Sequence, residues 1–261
     1  MGQRYGQETG VKEMYHFFVE PEQIQDKHVY IEGKDVNHIK NVLRMRIGEE
    51  LAVGNGLDDR EFRCRIEAFE EDRIVCSLVF IRENDVELPV KVTLFQGLPK
   101  ADKMELIIQK AVELGVTEIV PVAMKRCVVK LDAKKEAAKI SRWQGISEAA
   151  AKQSKRGMIP RVSPVLTMKE ALARASEMDG KIIPYELAEG MESARAFFDT
   201  CKPGMEIAVF IGPEGGFDEG EIQAAMEAGV TPISLGKRIL RTETAGFTVL
   251  AWLQYRLEVM R

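Results

Sequence analysis

The chain has little histidine and little cysteine, and each shortage removes a class of chemistry. Only His16, His28 and His38 occur in 261 residues, which argues against a histidine-built metal centre or a Ser-His-Asp triad. The four cysteines, Cys64, Cys76, Cys127 and Cys201, are scattered without metal-ligand spacing. They read as reduced, mostly buried thiols of a cytoplasmic protein, and no metal is expected. No apolar run reaches the roughly 20 residues of a membrane span. No stretch has the charged, apolar and cleavage regions of a signal peptide, so no membrane partner is expected either. Charge of one sign is also missing in sum: 37 Lys/Arg against 41 Asp/Glu leave a net −4, which gives no global sign of nucleic-acid binding. Neither G-x-G-x-x-G nor G-x-x-x-x-G-K-[ST] occurs, which weakens any reading as a nucleotide-dependent enzyme with a phosphate cradle.

What is present is 45% apolar content, enough for a real core and for one large or two modest domains. Residues 1–13 are polar and patternless, and read as a disordered extension or a misassigned start. From residue 14 to residue 88 the pattern is strand-rich. Tyr15–Glu20, His28–Glu32, Glu50–Gly54, Glu61–Phe69 and Arg73–Arg82 alternate or run apolar, with a hairpin turn expected at 53–56. One helix interrupts them, capped by Asp35 and carrying Val36, Ile39, Val42 and Leu43 on its apolar face. This composition suits a small, partly closed β-barrel.

Glu87-Leu88-Pro89 reads as a linker, and residues 89–261 turn to α/β patterning. Val90–Gln96 predicts a strand. A helix follows, capped by Asp102 with Glu105 completing a capping box, and Met104, Ile107, Ile108, Ala111 and Val112 form its buried stripe. Glu118–Ala123 predicts a strand that Pro121 assigns to an edge or a bulge. Helices are expected at Leu166–Glu177 and Met191–Asp199, with a strand at Lys181–Tyr185.

The chain is organised around residues 207–246. Ile207–Ile211 reads as a buried strand that runs into Gly212-Pro213-Glu214-Gly215-Gly216. That loop can be neither helix nor sheet, and its glycines permit close approach of backbone to a ligand. Asp218 and Glu221 form a capping box for the helix Glu219–Ala228. Ile233–Leu235 reads as a second strand, followed by Gly236 and the loop Lys237–Thr244. A last helix, Ala245–Glu258, is apolar nearly all round and so is buried on more than one side. Two strands thus end in glycine loops that lead into helices, where α/β sheets gather their ligands.

At this point IGPEGGF (211–217), followed by LGKRILRTETA (235–245), resembles the signature pair of the RsmE-type 16S ribosomal RNA uridine-N3 methyltransferases, a family of the SPOUT superfamily. GLPKADKMELIIQKAVELGV (97–116), RWQGISEAAAKQSKRGMIP (142–160) and HIKNVLRMRIGEEL (38–51) resemble further family segments, so the likeness runs from about Met14 to the C-terminus. It implies an S-adenosyl-L-methionine cofactor and a trefoil-knotted α/β methyltransferase domain behind a PUA-like RNA-binding β-barrel. It also implies a homodimer acting on 16S rRNA in the small ribosomal subunit. By motif position it assigns Leu187, Gly212, Pro213, Glu214, Gly216, Leu235, Gly236, Ile239, Leu240, Thr242 and Ala245 to the cofactor. Arg241 and Glu243 are the candidates for chemistry: the first to stabilise developing imide oxygens, the second to take the N3 proton directly or through water. A structural ion pair fixing the loop is the alternative for these two.

Pro121 to Arg161 carry eleven Lys/Arg against three Asp/Glu, a net +8 that leaves −12 for the rest. A local basic patch on an acidic protein is an electrostatic footprint for RNA. Lys135, Lys139 and Arg142 share one helix face, with Ala137, Ile140 and Ala151 opposite. Arg126, Gln153, Lys155 and Arg156 are the expected RNA contacts here, and Trp143 is expected in the core rather than as a stacking platform. In the barrel, His38, Arg44 and Arg46 are the expected RNA contacts. His16 joins them, standing where the family often has an arginine. Two other readings stay open at this stage: a SPOUT methyltransferase for another RNA, and a non-catalytic RNA-binding ribosome assembly factor.

Overall fold

The computed structural model describes residues 14–188 and 190–260. The expected extension at 1–13 lies outside the described residues. The chain divides into two compact units between Asn84 and Asp85.

The first unit contains β1 (His16–Phe18), β2 (Ile24–Gln25), β3 (His28–Glu32), α1 (Lys34–Asn37), β4 (Glu50–Gly54), β5 (Arg60–Phe69) and β6 (Arg73–Glu83). Its sheet runs β1-β4-β5-β6-β3-β2. All pairings are antiparallel except β1 with β4. The order has two free ends, so the sheet is an open half-barrel. Alternation decides its inner face: Val29 and Ile31, Leu51 and Val53, Cys64 and Ile66, and Ile74 and Cys76 are all buried in one cluster. Two register shifts in the β5–β6 hairpin, at Arg63/Cys64 and Ile66/Ala68, bend the long strands.

Two local expectations change here. The β4–β5 connection spans 55–59 rather than a tight turn at 53–56, because the Asn55 side chain builds it: Asn55 Oδ1 accepts from the Leu57 and Asp58 amides at 3.0 and 3.1 Å. The helix is capped not by Asp35 but by Gly33 at φ 69°, and α1 passes into a π-helical turn at His38–Val42. Of its expected apolar face, Val36 and Ile39 are buried and Val42 is exposed.

The second unit contains β7 (Lys91–Gly97), α2 (Lys103–Glu113), β8 (Glu118–Ala123), α3 (Ala133–Gln153), β9 (Arg161–Val162) and β10 (Leu166–Thr167). Then come α4 (Met168–Ala175), β11 (Gly180–Pro184), α5 (Glu192–Thr200), β12 (Glu206–Ile211), α6 (Glu219–Glu227), β13 (Thr231–Ile233) and α7 (Thr242–Gln254). The sheet order is β10-β8-β7-β12-β11-β13, with β9 also on β8, and every pairing is parallel. The central strands are near-continuous apolar runs, as burial on both faces requires. Phe95 of β7 and Phe210 of β12 stack with centroids 4.6 Å apart at the heart of the core.

Pro121 is neither at an edge nor in a bulge. The Val122 carbonyl faces β7, accepting from the Leu98 amide at 3.0 Å, so the neighbouring Pro121 faces the other side. There β9 pairs with residues 118–119 and β10 with 122–123. The missing N–H therefore falls in the gap between two short strands. Asp102 stands before α2 but makes no side-chain cap: its backbone (φ −95°, ψ 13°) is not extended, the Glu105 amide donates to the Asp102 carbonyl at 3.0 Å instead, and the Glu105 carboxylate pairs with Arg142 at 2.8 Å. The 166–177 helix begins two residues later, with Thr167 and Glu170 forming its capping box. The strand expected at 233–235 lies at Thr231–Ile233, which leaves Ser234 and Leu235 to the loop. In α3 the buried face is Trp143, Ser147, Ala150 and Ala151, whereas Ala137 is exposed.

Arg156 requires a larger correction. It is 3% exposed, its Nη1 donates to the carbonyls of Val112 and Val116 at 2.9 and 2.8 Å, and its Nε donates to both oxygens of Glu87 at 3.1 and 3.0 Å. A guanidinium buried in this way and bonded through Nε, both Nη1 hydrogens and Nη2 is out of reach of a phosphate. It locks the C-terminal end of α3 to α2 and to the segment before β7.

Candidate active site

Three loops at the carboxyl ends of β11, β12 and β13 enclose a cleft of about 510 Å³, where open α/β sheets bind ligands. The β12 loop contributes Gly212–Phe217, the β13 loop Ser234–Arg241, and the β11 loop Tyr185 and Glu186; Thr242 and Ala245 of α7 complete the wall. Gly236 holds φ at 104°, a conformation that favours glycine and turns the chain back over the cleft.

The cleft is tied together from beneath by a side chain that sequence reasoning missed. Gln96, at the end of β7, is fully buried. Its Nε2 donates to Gly97 O at 3.0 Å and to Thr242 Oγ1 at 2.9 Å. The Thr242 hydroxyl donates onward to Gly212 O at 2.6 Å. Two hydrogen bonds thus join the end of β7, the β12 loop and the first turn of α7. Gly97 lies beside this lock: a Cβ added there would come within 2.7 Å of both the Cδ and the backbone N of Pro213. The sequence signal was the polar Gln96 directly after the apolar Leu94-Phe95.

Glu214 faces Lys103, whose Nζ is 3.0 Å from its Oε1, and it accepts from the Lys100 amide at 3.1 Å. Burial works to raise the Glu214 carboxyl. Hydrogen bonds from its own amide, from Lys103 and from the Lys100 amide outweigh that, and hold it below its ordinary value. Lys103 is raised in turn, chiefly by its hydrogen bond to Glu214. The same Nζ lies 3.6 Å from Glu243 Oε2. Glu243 therefore pairs with Lys103, not with Arg241. It is not part of the cleft wall, and its buried Oε2 accepts no hydrogen bond.

Arg241 does line the cleft, at the residue before α7, and among the described residues no carboxylate pairs with it. Of the residues assigned to the cofactor, all line the cleft except Leu187, which is 69% exposed and absent from the wall. Ile239 reaches the wall while remaining 86% exposed. Arg126 adjoins the β12 loop, its Nη1 donating to Gly215 O at 3.2 Å.

The other expected RNA contacts divide. Gln153 and Lys155 are exposed at the end of α3. Lys135, Arg142 and Lys152 are spent on Asp132, Glu105 and Glu148. In the first unit, His38, Arg44 and Arg46 are exposed and His16 is half-buried against Phe18. Among the described residues no group of three or more His, Cys, Asp or Glu could hold a metal ion, and no helix is long and apolar enough to cross a membrane.

The chain matches two family models, an RNA methyltransferase domain over residues 86–254 and an RNA methyltransferase PUA domain over residues 31–79. It is 36% identical to ribosomal RNA small subunit methyltransferase E of Bacillus subtilis, covering 95% of this chain and 99% of that one. It is 34% identical to the Mesomycoplasma hyopneumoniae protein of the same name, covering 91% and 97%. Among solved structures, it is similar to the ribosomal RNA small subunit methyltransferase E of Neisseria gonorrhoeae bound to S-adenosyl methionine. That likeness has a TM-score of 0.79 and 35% identity, over 93% of this chain and 98% of that one.

Proposed function

The chain belongs to the ribosomal RNA small subunit methyltransferase E family, and from that premise we propose that it transfers a methyl group from S-adenosyl-L-methionine to N3 of a uridine in 16S rRNA. The observation that carries this reading is the three-loop cleft and its Arg241, with which no described carboxylate pairs, beside the first turn of α7. Its volume lies in the ordinary range of small-molecule sites, roughly 300–1,000 Å³. Apolar walls at Ile211, Leu235 and Leu240 alternate with loop backbone, which suits a neutral purine joined to an amino-acid tail. The backbone around Gly212, Pro213, Gly216, Leu235, Gly236, Leu240 and Thr242 would hold the cofactor, with Glu214, Ile239 and Ala245 at its borders. Leu187 would have to reach it by movement of the β11 loop.

When bound, the cofactor supplies an electrophilic methyl on a sulfonium. The remaining work falls to the chain. Uracil N3–H is a weakly acidic imide, and the nitrogen attacks only as its proton leaves, in line with the carbon–sulfur bond and at about 3–3.5 Å. Arg241 bears the negative charge that spreads onto the two imide oxygens. Glu243 takes the proton through water; its place in the first turn of α7, next but one to Arg241, supports that role, and Lys103, with Nζ 3.6 Å from its Oε2, holds it in place. N3 lies on the pairing edge of the base, so the uridine must be extruded at a cost of a few kcal/mol.

RNA docks on residues 14–88 through His16, His38, Arg44 and Arg46, and on the methyltransferase domain, residues 89–261, through Arg126, Gln153 and Lys155. A trefoil knot at the cleft belongs to the same proposal, as the family resemblance implies. So does a homodimer in the cytoplasm, with α7 and the exposed Tyr255, Val259 and Met260 in its interface. The test is Glu243→Gln. It should lower kcat about 10²–10⁴-fold while calorimetry finds S-adenosyl-L-methionine affinity unchanged. Normal turnover would remove Glu243 from the chemistry.

A further inference from the structure

The sequence points to the basic helix α3 as the RNA surface, but the ion pairs redistribute the charge. Lys135, Arg142 and Lys152 each face a carboxylate and Arg156 is buried on Glu87. Lys125 is held by Asp218 at 2.9 Å. Lys134 and Lys139 are left without a carboxylate partner among the described residues, on a helix that does not line the cleft. The loop after β13 is different. Lys237, Arg238 and Arg241 lie within five residues; all three are exposed, all three line the cleft, and no described carboxylate pairs with any of them. Leaving three like charges uncompensated on one short loop costs mutual repulsion. An incoming polyanion would relieve it.

We propose that Lys237 and Arg238 bind backbone phosphates of the target RNA strand on either side of the extruded nucleotide, leaving Arg241 to the base. Phosphate contacts fix register without reading sequence. A pair of them at the cleft mouth would fix which nucleotide faces the methyl donor. The inference rests on the RNA-methyltransferase reading of the cleft. The carboxylate of the cofactor is the other anion that could meet these cations, and the experiment separates the two.

The experiment uses the full chain, small ribosomal subunits lacking the modification, and the double variant Lys237→Gln/Arg238→Gln, with methyl transfer followed as a function of salt. Log(kcat/KM) for the subunit should fall less steeply with log[salt], the slope shrinking by about 1.4–1.8 for two lost phosphate contacts. Affinity for S-adenosyl-L-methionine by calorimetry should stay within about twofold of the parent. An unchanged salt slope overturns the proposal, and a tenfold loss of cofactor affinity with that unchanged slope assigns the pair to the cofactor carboxylate. A slope lost in Lys134→Gln/Lys139→Gln but kept in the loop variant returns the RNA to α3 and also overturns it. If the parent protein itself methylates no subunit, the reading of the cleft fails, which is a different result from a parent-like double variant.

Discussion

In the proposed mechanism Arg241 is the side chain on which the chemistry depends most directly. It lines the cleft, and among the described residues no carboxylate pairs with it, so its charge is available to a developing anion. Arg241→Ala should lower kcat about 10²–10³-fold with little change in cofactor affinity, as single-turnover kinetics and calorimetry would measure. Lys103 shapes the site differently. Its hydrogen bond helps hold Glu214 below its ordinary value. Lys103→Met removes this support and raises Glu214, and it takes away the ion-pair partner of Glu243 as well, so the acid limb of the kcat profile should move to higher pH; an unmoved limb would detach both carboxylates from turnover. Asp58 offers a control in the first unit. The Arg60 guanidinium beside it pulls its carboxyl down to about 2 from 3.8. A depressed carboxyl contributes stability above its unfolded value and loses it as pH falls toward the folded one. Asp58→Asn should therefore destabilise by about 0.2–1 kcal/mol at neutral pH, the range for exposed pairs, and lose that deficit between pH 3.8 and about 2.

Among the elements, those with strong periodicity or capping chemistry were legible in the sequence. The buried stripe of α2 is Met104, Ile107, Ile108, Ala111 and Val112 as its spacing predicts, and Asp218 with Glu221 caps α6 as expected. What was not legible depends on partners distant in sequence. Glu105 left its expected cap for Arg142 on α3, and Asn55 replaced a tight hairpin with a side-chain-built loop. Arg156 read as surface charge because nothing local marks Glu87, 69 residues earlier, as its partner. The cleft was legible in its glycine loops, but not in the start of α7, which comes at Thr242 rather than Ala245, nor in Gln96 or Lys103, which reach it from β7 and α2. Breaking a buried pair leaves an uncompensated charge, so Glu87→Ala should cost about 3–5 kcal/mol in urea unfolding, and Arg156→Ala should act on stability rather than on the salt dependence of RNA binding. Gly97→Ala forces Cβ against the Pro213 backbone and should cost about 1–3 kcal/mol along with weaker cofactor binding.

In the molecule as a whole, the division of labour follows the two folds. A half-barrel presents exposed Arg44 and Arg46, which the proposal assigns to RNA. The parallel sheet has the cleft, and its glycine loops stand at the strand ends where backbone can read a small ligand. Net charge hides this: a chain at −4 approaches RNA through local fields rather than its total. The central claim is tested most directly by labelled-methyl transfer from S-adenosyl-L-methionine to small ribosomal subunits lacking the modification, with the product base mapped by mass spectrometry. The account predicts 3-methyluridine at a single position of 16S rRNA, with naked RNA a poorer substrate than the subunit. Methyl incorporation at a ribose or at another base, or none despite calorimetric binding of the cofactor, would contradict it.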